Sequence, residues 1–522
     1  MAPVSSARGV SPFHRLPVFL GVAAALILLC FAILIGDRHF GSITPVAGGA
    51  NSPAGISKGS HQDRFVRSSS GQFITLDPTG TYLINSITHK PVFLTGDSAW
   101  SLITQLDDSD VDLYLSDRAS RGFNIIWCAA ADNFYQSDAP RNRSGHVPFD
   151  GPDFTNEDPA YWDHLDSVLQ RAADHGITVA LDPAFVGLSS PGGYLHSYLR
   201  SSGAVLTAYG AFLGRRYKSV PNLIWALGGD VDPATGVVPK LTALAYGIRS
   251  EDSVHLLVAE GHPQAAALDT FAGTDWMDLN WLYLHTDNIL KEVSGNYIRS
   301  PFLPPFLGEG WYESEHGITG LEIREEGYWA VLSGAYLGNF GFGNNPIWFF
   351  NGGPDAKPGQ PSWKSQLGSP GSVGQMYLGR LFRSREHWKL IPDLNHTVMT
   401  AGFDSRGFLS SARESLRSLV DRQPYRLGSA SSVAARTSDG QTIIAYVPNG
   451  NSATITIDMS TIADSSHQAK AWWFNPRAGS GRLIGALPAS GSRNFTPPDP
   501  NDWVLVIDSL SANLAAPGTS EL

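Results

Sequence analysis

Two acidic residues sit where apolar runs break off among glycines. Asp230 ends the run NLIWALGGD, and Glu309 ends PFLPPFLGEGW, next to Trp311 and Tyr312. Two carboxyl groups in unlike surroundings can divide acid–base work. One stays protonated and donates to a departing oxygen, while the other attacks carbon or activates water. That is the chemistry of glycosidic bond cleavage. The glycines before Asp230 let backbone approach closely and leave room for a ligand. A single acid at such a place also caps helices or forms ion pairs, so the pair carries the reading rather than either residue.

Other polar residues close or border similar runs: Asp97, Asn124, Asp182, His262 and His285. Trp100, Trp127, Trp281 and Trp311 follow or end runs and are candidate platforms for stacking on a ring. Each also has a plainer reading. The tryptophans pack a mouth, His262 is a satisfied core histidine, and Asp182, which precedes Pro183, makes a strand-end turn. Glu313 and Glu315 lie close behind Glu309, and the first Glu after the run is favoured.

Something must bring these residues together. Between residues 91 and 392 the apolar runs PVFLTGD, GFNIIWCAA, GITVALDPA, NLIWALGGD, VHLLVAEGH, WMDLNWLYLH, PFLGEGW and FGFGNNPIWFF alternate with helix-like stretches such as DVDLYLSDRASR and YWDHLDSVLQRAADH. Strands apolar on both faces that alternate with helices predict a buried parallel sheet. Eight such units predict an α/β fold of the (β/α)8 TIM-barrel kind over residues 72–392, with the polar strand ends on the catalytic face. A short hairpin around the turn DPTG precedes it. Beyond it, QTIIAYVP, ATITIDM, QAKAWWFNP and DWVLVID alternate apolar with polar, which predicts a C-terminal antiparallel β-sandwich over 393–512 and a disordered tail over 513–522.

The N-terminus carries its own signal. Residues 16–36 open with about twenty uncharged positions, LPVFLGVAAALILLCFAILI, enough to cross roughly 30 Å of hydrocarbon. Arg8 and Arg15 precede the run, so the positive-inside rule predicts a cytoplasmic segment 1–15 and a single-pass anchor with the body outside the cytoplasm, periplasmic or extracellular. A cleaved signal peptide is the competing reading. Residues 37–71, rich in Gly, Ser and Pro, read as a flexible linker. With 42% hydrophobic and 16% charged residues the body is globular, and a net charge of −11 argues against a nucleic-acid partner. Cys30 lies in the apolar run, which makes a bridge to Cys128 implausible. There is no HExxH, P-loop or dinucleotide fingerprint, so no metal or organic cofactor is implied. No sequence feature specifies the oligomeric state.

The stretches PVFLTGDSAWSL, DLYLSDRASRGFNII, YGAFLGRRYKSVPNLIWALGGD, EGYWAVLSGAYLGNFGFGNNPIW and AWWFNPRAG together resemble the apiosidase-like glycoside hydrolases, whose C-terminal part carries a collagen-binding label. The resemblance runs over residues 72–508. It implies an O-glycosyl hydrolase with a carbohydrate substrate, retaining, with Asp230 as acid/base on the fourth strand and Glu309 as nucleophile on the seventh. It further implies that Asp97, Trp100, Asn124 and His262 shape the pocket. The sequence departs from the family at EGHP around His262, where relatives carry Tyr-His-Pro, and at NFGFGNN, where they carry His-Thr-Tyr-Gly. Those departures leave the sugar open. The rival readings are a non-catalytic cell-surface carbohydrate-binding protein and a transglycosidase that remodels envelope or exopolysaccharide.

Overall fold

The apolar runs become strands buried on both faces. β3 (Leu94–Ser98), β4 (Ile125–Ala129), β5 (Thr178–Asp182), β6 (Leu223–Leu227), β7 (Leu257–Ala259), β9 (Asn280–Tyr283), β10 (Pro305–Glu309) and β12 (Gly338–Asn339) are parallel neighbours in one sheet. The computed structural model describes residues 73–187, 192–285, 289–339, 341–353, 356, 358–403, 431–448, 454–519 and 521–522, all within the unit Arg64–Leu522. The nine-stranded sheet runs in the order β7-β6-β5-β4-β3-β12-β10-β9-β8, with the short β8 (Ala265–Ala266) antiparallel to β9. It curls until its sides meet. The Asp278 N–H, just before β9, donates to Leu257 O at 2.9 Å, and the Asp278 carboxylate accepts the Leu257 N–H at 2.8 Å.

Helices return the chain between strands. α1 (Asp108–Ser120) follows β3, α2 (Pro159–Asp174) follows β4, α3 (Gly203–Tyr217) follows β5, and α4 (Val238–Glu251) follows β6. α5 (Ile289–Tyr297), α6 (Gly320–Leu332) and α7 (Pro370–Arg383) complete the set. Their starts are written locally. Asp107, Asp158 and Ser202 each accept a first-turn N–H, and Thr319 with Glu322 forms a capping box. The hairpin β1 (Ile74–Leu76) and β2 (Leu83–Asn85) forms around the predicted turn.

The C-terminal region folds into antiparallel sheets. β14 (Leu390–Pro392), β16 (Val433–Thr437), β17 (Thr442–Val447), β22 (Trp503–Ser509), β19 (Gln468–Asn475) and β20 (Ser480–Pro488) form the larger one. β15 (Met399–Ala401), β18 (Ile455–Asp458) and β21 (Ser492–Phe495) form the smaller. Alternation along β17 decides the packing: Ile443, Ala445 and Val447 face the smaller sheet, while Ile444 and Tyr446 join the core under α6. Tyr446 stacks on Tyr328 with centroids 4.8 Å apart.

Two expectations change. Residues 390–392 pair with β16, so the sandwich starts just before the expected boundary. The tail expected to be disordered is pinned: Ala515 O accepts from Arg385 at 3.0 Å, the Gly518 N–H donates to Ser384 at 2.9 Å, and Glu521 pairs with Arg383 at 2.7 Å. Its few apolar residues gave no pattern, and these polar anchors lie far away in sequence. The expected anchor 16–36 and linker 37–71 lie outside the described residues, among which no helix is long and apolar enough to cross a membrane.

Candidate active site

The chain leaves β6 through Gly228, Gly229 and Asp230, with φ of +119°, +83° and +53°. Three consecutive left-handed residues demand glycine wherever Cβ has no room. A Cβ on Gly228 would lie 2.6 Å from Glu260 O, and one on Gly229 2.4 Å from the Phe185 ring. Asp230 pays for the same conformation with strain that its surroundings must hold. Its N–H donates to Glu260 Oε1 at 3.1 Å, and the buried Asp182 carboxyl lies close to Gly228. The turn sets the half-buried Asp230 at the end of the strand.

Glu309 ends β10. The residue before it must be glycine, because a Cβ there would stand 2.2 Å from the indole of Trp281. After it, the Trp311 N–H donates to Glu326 of α6 at 3.1 Å, and β11 (Tyr312–Glu313) turns Tyr312 back toward the site. The Tyr312 hydroxyl accepts from Trp100 Nε1 at 3.0 Å and lies beside Glu309. The Tyr283 hydroxyl, at the end of β9, lies beside both Glu309 and Asp230. Three carboxyls thus converge: Asp230, Glu260 and Glu309.

Burial dominates their electrostatics. It pushes Asp230 up to about 6, with His262 and the Tyr283 hydroxyl pulling the other way and Glu315 adding to the rise. It also raises Glu309, helped by the Asp230 charge and opposed by hydrogen bonds from Glu260, Tyr312 and Tyr283. Glu260 goes well above the carboxylate range, through burial and then through the charges of Glu309 and Asp230. Close carboxyls in a dry site cannot all ionise.

The sequence candidates divide. Asp230 and Glu309 meet. Trp100 backs the pair through Tyr312 but is buried against Trp127 and Phe185. Trp281 is 0% exposed and packs edge-on to Trp127, so it fills the interior rather than offering a platform. Trp311 is partly exposed and stacks on His285 at 3.8 Å, which leaves it as the rim aromatic. His262 is exposed beside Asp230, with Nδ1 2.8 Å from Pro263 O. Asp182 is buried and braces the glycine turn.

Two candidates belong elsewhere. Asp97 points outward to the helices, where Tyr114 donates at 2.8 Å and Arg118 at 3.1 Å. Its neighbour Ser98 takes the inward position, beside Tyr312. Asn124 precedes β4 and so lies at the far end of the sheet, its side chain bridging Thr95 N at 2.8 Å and Phe93 O at 2.9 Å. Glu260, Tyr283 and Tyr312 were not among the candidates. Glu260 is the first acid after VHLLVA, the same signal that singled out Glu309.

Residues 78–389 match the family described as "Apiosidase-like, catalytic domain", and residues 417–508 match "Putative collagen-binding domain of a collagenase". A solved structure described as a glycoside hydrolase is 23% identical with a TM-score of 0.69, over 84% of this chain and 97% of that one. The crystal structure of a glycoside hydrolase family 5 protein from Bacteroides vulgatus is 22% identical with a TM-score of 0.71, over 86% and 95%. At such identities the likeness is one of fold. No curated protein matches the chain. The catalytic-domain match covers more than half of the sequence, and the chain belongs to the apiosidase-like family of glycoside hydrolases. It is a glycosyl hydrolase, and its substrate is a carbohydrate.

Proposed function

We propose that the curled sheet is a (β/α)8 barrel whose mouth cleaves O-glycosidic bonds of an oligo- or polysaccharide with retention. Asp230 acts as acid/base and Glu309 as nucleophile. Asp230 gives its proton to the leaving oxygen while a Glu309 oxygen bonds to the anomeric carbon, breaking the glycosidic bond. Asp230, now a carboxylate, then takes a proton from water as that water displaces Glu309.

One observation carries the reading: Asp230 after β6 and Glu309 on β10 are close enough that the Asp230 charge raises the Glu309 pKa, with the Tyr283 hydroxyl beside both. Retaining enzymes hold the two carboxyls roughly 5–5.5 Å apart, whereas inverting ones need roughly 6.5–9.5 Å for an intervening water. Half-buried Asp230 reaches solvent, as an acid/base that meets water must. Glu309 is buried, and the Tyr283 and Tyr312 hydroxyls beside it oppose the rise in its pKa that burial causes.

The test is hydrolysis of plant and bacterial polysaccharides by the full chain, beside Asp230→Asn and Glu309→Gln. Release of sugar that falls by about 10²–10⁴ in Asp230→Asn, and at least as far in Glu309→Gln, supports the assignment. Release untouched by either substitution overturns it. The run at 16–36 supports a membrane tether with the body outside the cytoplasm. Digestion of the body by protease added to spheroplasts with an intact cytoplasmic membrane fits that placement, and protection contradicts it.

A further inference from the structure

Glu260 lies behind the catalytic pair, follows β7 and is 1% exposed, too deep to meet a substrate. It nevertheless touches both halves of the site. Its Oε1 accepts the Asp230 N–H at 3.1 Å, and its carboxyl faces that of Glu309. Glu260 Oε2 and Glu309 Oε2 are both sealed from water and take no hydrogen bond from any N–H or hydroxyl. Two carboxyl oxygens can share a hydrogen bond only if one carries a proton.

We propose that Glu260 is a positioning residue that locks the two catalytic carboxyls into one frame. One of its oxygens anchors the strained Asp230 turn, and the other shares a proton with Glu309.

The groups facing Glu260 decide where that proton sits. They are Glu309 from β10, Asp230 after β6, Tyr283 from β9 and Tyr312 from β11. No cation faces it among these groups. The Tyr283 and Tyr312 hydroxyls lie beside Glu309 and favour its ionised form. Glu260 receives only the Asp230 N–H, so the proton resides on Glu260. A neutral acid then donates to an ionised nucleophile, and the pair carries one negative charge. Loss of the proton would set two carboxylates against one another and push the Asp230 turn away.

The proposal rests on the catalytic reading of Asp230 and Glu309, and its test separates the two. The isostere Glu260→Gln keeps a donor toward Glu309 and an acceptor for the Asp230 N–H but has no titratable proton, whereas Glu260→Ala removes both contacts. In the full chain, Glu260→Ala lowers kcat on the order of 100-fold with KM little changed, as a small misplacement of reacting groups does. Its acid limb moves to higher pH, because Glu309 has lost a donor. Glu260→Gln recovers most of that loss and keeps the parent acid limb. Equal impairment of both variants would make Glu260 a reacting acid, and no impairment of either would deny it a role; both results overturn the proposal.

A second readout needs no turnover. The infrared difference spectrum of parent minus Glu260→Gln at neutral pH is expected to show a protonated-carboxyl C=O band. Carboxylate bands alone would overturn the shared proton. If the band appears while Asp230→Asn and Glu309→Gln still hydrolyse, the shared proton stands and the catalytic reading of the pair fails.

Discussion

Asp230 can serve a leaving oxygen only while it holds a proton. Burial raises its pKa from 3.8 to about 6, so the proton is present below that value and lost above it. We therefore expect kcat/KM to fall as pH rises through about 6. The exposed His262 pulls in the opposite direction, since its positive form favours the Asp230 carboxylate. His262→Ala should move the alkaline limb to higher pH, and a pH–rate profile that does not move would remove that influence. The turn that aims Asp230 is equally exacting. Gly229→Ala sets a Cβ 2.4 Å from the Phe185 ring at a φ of +83°. We expect a loss of ~1–3 kcal/mol in denaturant unfolding, together with reduced turnover. An unchanged midpoint would show that the turn has slack.

Among the elements, strands and helices were more legible than side-chain direction. Eight apolar runs alternating with capped helices were legible because buried parallel strands read as continuous hydrophobic stretches. The same continuity hides parity: when both faces are apolar, the pattern does not say which residues point inward. That is why Asp97, an outward residue held by Arg118, looked like a pocket residue, while its inward neighbour Ser98 did not stand out. Asn124 failed for another reason. It stands before β4, and only the exit ends of the strands reach the site. Glu260 was legible by the rule that found Glu309, but the histidine two residues on drew the attention. Between β9 and β10 the fit is close: Gly308→Ala would place a Cβ 2.2 Å from Trp281. A destabilisation of ~1–3 kcal/mol is expected, partly relieved by adding Trp281→Leu. Thermal unfolding of the single and double variants checks this, and strict additivity would mean that the two residues do not meet.

Across the whole molecule, the sandwich is fastened to the curled sheet by buried ion pairs. Arg324 of α6 meets Asp502 at 2.8 Å, and Arg385 meets Asp508 at 2.7 Å. Breaking one partner of such a pair strands a charge, at a cost of ~3–5 kcal/mol. Asp502→Ala is therefore expected to lower the denaturant midpoint markedly. α6 also carries Glu326, which holds the Trp311 N–H just past Glu309. The same substitution is thus expected to lower turnover without touching the pocket. Unfolding in two separate steps, with activity intact after the first, would show the sandwich to be a passenger. The alternation along β17 made that domain readable in sequence; its docking was not, because the paired charges lie more than a hundred residues apart.

The central claim assigns different work to two carboxyls, and the stereochemistry of azide rescue tests it most directly. Each of Asp230→Ala and Glu309→Ala would be given an activated aryl glycoside of the substrate sugar with azide, and the anomeric configuration of the glycosyl azide read by NMR. The account predicts retained configuration from Asp230→Ala, where azide attacks the Glu309-linked sugar. It predicts inverted configuration from Glu309→Ala, where azide takes the nucleophile's place. The opposite pairing, or no rescue in either variant, would contradict it.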